Sequence, residues 1–75
     1  MPSKKNYNAI IVDAINAERN LAITTMKWGK RVVFPKSLER GQLYCNVLLV
    51  EKLGDLGNGR PDSILLKDMI RVELA

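Results

Sequence analysis

Histidine is absent from this 75-residue chain, cysteine occurs once, and aromatic residues make up only 5%. With no His and with Cys45 alone, neither a zinc constellation nor an intrachain disulfide can be assembled. The same shortage removes the usual nucleophile and base pairs, and no Gly-x-x-x-x-Gly-Lys phosphate loop occurs. No catalytic residue, metal or cofactor is expected. Long apolar runs are also missing. The longest, Ala9 to Val12 and Val47 to Val50, fall far short of the roughly 18 to 20 residues of a membrane-spanning helix. The opening Met-Pro-Ser-Lys-Lys is basic but no hydrophobic region follows it, so no secretory signal is expected and a cytoplasmic location is.

Hydrophobic residues make up 47% of the chain and charged residues 27%, the balance of an ordinary globular domain. The net charge of +4 gives a modest bias toward anions such as nucleic acid. Residues 1 to 6, with Lys4 and Lys5, carry no apolar periodicity and read as a flexible basic arm, leaving residues 7 to 75 as one small domain.

Two readings compete from Asn8 to Met26. Ile10, Ile11, Ala14, Ile15, Leu21 and Ala22 fit one helix face, which Glu18 interrupts. The alternative is a hairpin whose strands, Ala9 to Ile15 and Leu21 to Met26, are rich in β-branched residues and joined by Asn16 to Asn20. The β-branched content favours the hairpin. A glycine turn at Lys27 to Lys30 then leads to a short strand, Arg31 to Phe34, closed by Pro35, with room for one helical turn from Lys36 to Arg40. The longest strand candidate is Gln42 to Glu51, where Leu43, Cys45, Val47 and Leu49 alternate with Gln42, Tyr44, Asn46 and Leu48. Gly54 to Asp62 reads as a long mobile connection, and Ser63 to Leu74 as one bent strand or two short ones. Five short strands in a chain of this length predict an all-β fold, a small antiparallel barrel of OB-like or, alternatively, SH3-like type.

Val12-Asp13-Ala14-Ile15-Asn16-Ala17-Glu18-Arg19-Asn20-Leu21-Ala22-Ile23 resembles the opening of a cold-shock domain, with Asn-Ala-Glu and a basic residue at the hairpin tip. Gly29, Val33-Phe34, Arg40-Gly41-Gln42 and Gly59-Arg60-Pro61 match later elements of that pattern. The resemblance implies an OB-type barrel that binds single-stranded RNA or DNA on exposed aromatic rings within a basic field. The sequence departs from the pattern where those rings stand: Ala14, Ile15, Leu21, Ile23, Lys36 and Ser37 replace aromatic or His positions, while Phe34 and the basic Arg19 are kept. Separately, Asp62 to Arg71 resembles the closing segment of the MazF-type ribonuclease toxins, but the chain is too short for the rest of that fold.

Lys27-Trp28-Gly29-Lys30-Arg31 is the densest basic cluster and contains the only Trp. Trp28, Tyr44 and Phe34 are the candidate stacking rings, and Arg19, Lys27, Lys30, Arg31 and Lys36 the candidate phosphate-neutralising cations. Lys4, Lys5, Arg40 and Arg60 would extend the field. The expected partner is single-stranded RNA or DNA, with no membrane. The alternative is a module that has lost nucleic-acid binding and docks on a protein or a second copy, using Ala14, Leu21 and Ile23 as an apolar contact surface.

Overall fold

The computed structural model describes residues 4 to 51 and 55 to 75, with the side chains of residues 4 to 6 and 55 to 58 left aside. It consists of a helix, α1 (Lys4–Ala17), and five strands: β1 (Leu21–Thr25), β2 (Gly29–Glu39), β3 (Gln42–Val50), β4 (Asp55–Leu65) and β5 (Met69–Leu74). All pairings are antiparallel, in the order β4-β3-β2-β1-β5. Hairpins join β1 to β4, and one 3-10 turn at Leu66–Asp68 returns the chain so that β5 lies beside β1. The expected all-β, five-stranded antiparallel architecture is present. Strands β1 to β4 follow one another across the sheet, and β5 crosses back to its β1 side.

The N-terminal segment departs from the expected hairpin. Residues 9 to 15 belong to α1, and the backbone of residues 4 to 6, expected in the arm, forms its first turn. Residues 1 to 3 of that arm lie outside the described residues. Tyr7, Ile11 and Ala14, spaced i, i+4, i+7, are buried, with Ile10 and Ile15 packed at their flanks. Four β-branched residues would favour a strand locally, but burial of this stripe against the sheet outweighs propensity. Glu18 does not interrupt the face, because the helix stops before it. Glu18 takes a left-handed conformation (φ 54°), its N–H donates to the Ile15 carbonyl, and the Arg19 N–H donates to the Ala14 carbonyl at 2.9 Å, a Schellman termination. Asn16-Ala17-Glu18, the tripeptide matched to a hairpin tip, is therefore the end of a helix.

Two further corrections concern strand length. β2 does not end at Pro35 but runs on to Glu39, and residues 36 to 40 form no helical turn. A register shift between Pro35 and Ser37 makes Lys36 an extra residue, and such a bulge tolerates a proline that donates no ladder hydrogen bond. Arg40 and Gly41, both at positive φ (50° and 73°), then make a two-residue type I′ hairpin turn. The glycine-rich stretch, expected as a mobile connection, supplies β4 from Asp55 onward, while residues 52 to 54 lie outside the described residues.

The core is aliphatic: Ile11, Leu21, Ile23, Val33 and Leu43 are fully buried, joined by Val47, Val50 and Met69. Tyr7 is the one aromatic residue in it, and its hydroxyl donates to the Ile70 carbonyl. No helix among the described residues is long and apolar enough to cross a membrane.

Candidate nucleic-acid interface

Strand alternation sorts the expected site residues. Arg31, Val33 and Pro35 of β2 point inward and are buried, so Lys30, Val32 and Phe34 lie on the outer face. On β3, Leu43, Cys45 and Val47 point inward and Gln42, Tyr44 and Asn46 outward. Asn46 stands directly opposite Phe34, so Phe34 and Tyr44 share one surface. Lys36, displaced by the bulge, sets its Nζ 5.3 Å from the centre of the Phe34 ring. The Tyr44 hydroxyl donates to Gln42 Oε1 at 3.3 Å, and Gln42 Nε2 donates to Ser63 Oγ on β4 at 2.8 Å. These bonds hold a half-exposed tyrosine ring in place on the sheet.

Trp28 and Lys27 belong to the β1–β2 turn, at the other end of β2. Phe34 lies six residues beyond Trp28, roughly 20 Å of extended chain. The turn is fixed by buried Thr25, whose Oγ1 accepts the Trp28 N–H at 3.1 Å, and by Gly29 at φ 77°. A cleft of about 310 Å³ opens beside it, lined by Thr25, Lys27, Trp28, Asp62, Ser63 and Asp68 among others. Lys27 lies 5.6 Å from the Trp28 ring centre and enters no ion pair among the described residues.

Arg31 differs most from its expected role. It is 3% exposed, its Nη1 meets Asp62 Oδ2 at 2.7 Å, and its guanidinium stacks 4.1 Å from the centre of the Trp28 ring. Its inward position on β2 places it inside the fold, where it neutralises a β4 carboxylate and cannot serve as an outward phosphate contact. The stack also covers one face of Trp28. The other Asp62 oxygen accepts the Ser63 N–H at 2.7 Å, while Arg31 Nε is buried without a partner. Asp62 was invisible as a partner in the sequence, since 31 residues separate it from Arg31. Lys30 is exposed and pairs loosely with Glu51 at 3.9 Å. Arg19 is exposed beyond the helix end, at the Phe34 end of β1 and away from Trp28. Arg40 and Arg60 are exposed on the β2–β3 turn and on β4, and Lys4 and Lys5 lie outside the described side chains.

Cys45 is buried on the inner face of β3 opposite Asp62. Burial, then the Asp62 charge, push its thiol up to about 11 against a partial opposing effect of Arg31. It is a core residue with suppressed reactivity. No group of three or more His, Cys, Asp or Glu able to hold a metal occurs among the described residues. Comparison with protein-family models, curated proteins and solved structures finds no match to this chain.

Proposed function

We propose that this chain is a non-enzymatic, single-stranded nucleic-acid-binding module whose contact surface runs along the outer face of β2 and β3 to the β1–β2 turn. The observation that carries the reading is where the aromatic rings lie. In a chain so poor in aromatics the core is built almost wholly of aliphatic residues, while Trp28, Phe34 and Tyr44 stand outside it. Core packing therefore does not account for Phe34 and Tyr44, and it uses only the face of Trp28 that stacks on Arg31. Phe34 and Tyr44 share a sheet face with Lys36, and Lys30 and Lys27 continue positive charge toward Trp28. Bases stack on rings of this kind at about 1 to 3 kcal/mol each, and lysines add salt-sensitive phosphate contacts. The roughly 20 Å between Phe34 and Trp28 suits a short single strand of about four or more nucleotides, the lower range for small barrels.

The alternative contact surface of Ala14, Leu21 and Ile23 is not available, because all three are buried in the core. The test is titration of Trp28 fluorescence with a single-stranded oligonucleotide at low and moderate salt. Binding that weakens as salt rises is expected; no binding at low salt, where phosphate contacts are strongest, refutes the proposal.

A further inference from the structure

The sheet ends on β5, whose outer edge pairs with no other strand among the described residues. The Ala75 N–H donates to the Asn20 carbonyl at 3.2 Å, which makes Asn20 and Ala75 a hydrogen-bonded pair. Such pairs alternate along an antiparallel ladder, so Glu73 and Arg71 also turn their backbone groups toward β1. Val72 and Leu74 turn theirs outward, and so does the carbonyl of Ile70, the extra residue of a bulge between the Arg71 and Met69 pairings, which accepts from Tyr7. A groove of about 370 Å³ separates Ile10 and Asp13 of α1 from Val72, Glu73 and Leu74, which leaves this part of the edge open. Half of the surface of Ile70 and of Leu74 is exposed at its two ends.

The residues along this edge, Ile70-Arg71-Val72-Glu73-Leu74, are complementary to themselves when read in opposite directions. We infer that β5 is a dimerisation edge, pairing antiparallel with β5 of a second copy about a two-fold axis at Val72. In that register Val72 faces Val72 once, on the axis, while Ile70 faces Leu74 and Arg71 faces Glu73, these two pairs each occurring twice by symmetry. The outward backbone groups fall into hydrogen-bonded pairs at Val72–Val72 and Ile70–Leu74. The Ile70 carbonyl, which already accepts from Tyr7, keeps a second lone pair for the incoming Leu74 N–H. Opposite charges directly across a ladder stabilise it and like charges destabilise it. Within one chain Arg71 and Glu73 lie 3.4 Å apart on an exposed surface, an ion pair worth little there and able to exchange for cross-strand partners. The β4 edge does not compete well, since it carries Pro61 and borders the Trp28 cleft.

The interface is small, so self-association is expected on the order of micromolar concentrations. Sedimentation velocity of the wild-type chain across that range tests it, with circular dichroism confirming that each variant folds. Arg71→Glu places Glu opposite Glu73 at both ends of the ladder and should weaken association about tenfold or more. Glu73→Arg should do the same with opposite sign, while the double variant R71E/E73R restores complementary pairs and should recover affinity to within about threefold. A wild-type chain that stays monomeric at about millimolar concentration overturns the inference. So does a dimer indifferent to R71E, which would have to use another face, or one that the double variant fails to restore.

Discussion

Removing the carboxylate of Asp62 should destabilise this protein far more than removing the Arg31 charge with which it pairs. Arg31 is almost fully buried, and among the described residues its guanidinium has one ionic partner, at 2.7 Å. Asp62→Ala leaves that cation inside the fold with the Trp28 ring as its main compensation. Breaking a fully buried pair from one side costs about 3 to 5 kcal/mol. The Asp62 side chain is 41% exposed, and water reaching the vacated space lowers the expected loss to about 2 to 3 kcal/mol. A chain of this size holds only about 4 to 11 kcal/mol in total, so the midpoint of thermal unfolding should fall by roughly 10 to 20 °C. Arg31→Met keeps much of the stem packed against Trp28 and removes the charge, and should cost less than about 1 kcal/mol. Urea unfolding of the two single variants and the double variant, followed by Trp28 fluorescence, measures the coupling. If Asp62→Ala costs under about 0.5 kcal/mol, or costs the same with and without the Arg31 charge, the assignment of this pair as a buried structural tie is wrong.

Glu18→Gly should stabilise the fold by about 1 kcal/mol, since a non-glycine residue at φ 54° carries strain that glycine lacks; denaturant midpoints check this. Cys45 should resist thiol reagents in the native state near neutral pH and react as fast as the protein unfolds. Its folded pKa, raised from 9.0 to about 11, means that the unfolded chain loses the proton first; the thiol's contribution is therefore whole below pH 9 and is lost as pH rises through about 11. Cys45→Ala should flatten that part of the stability profile, as urea unfolding across this range would show. Tyr44→Ala should weaken oligonucleotide binding by about 1 to 3 kcal/mol while costing little stability, because the ring lies on the outer surface. An unchanged affinity in a fluorescence titration would remove Tyr44 from the interface.

Alternation marked residues 42 to 51 as a strand with Leu43, Cys45, Val47 and Leu49 inward and Tyr44 outward. The structure agrees as far as Val47, because period-two burial is a property of the local chain, but a register shift after Val47 buries Val50 in place of Leu49. The strand at residues 21 to 25 and the turn around Gly29 were legible for similar reasons. The lack of His and the single Cys limited the chemistry before any fold was known. Other features depended on partners distant in sequence. Residues 9 to 15 have the composition of a strand, yet they form a helix because the sheet offers Tyr7, Ile11 and Ala14 a surface to bury. The glycine-rich stretch gains strand structure by pairing with β3, and the proline in β2 is accommodated by a bulge whose register neighbouring strands set. Arg31 belongs to a basic run in the sequence, but its place inward on β2, within reach of Asp62 on β4, turns a surface charge into an internal one. Composition and periodicity act over a few residues and so determined which segments alternate. Burial, charge pairing and the open edge arise between segments far apart in the chain, and only the tertiary structure decided them.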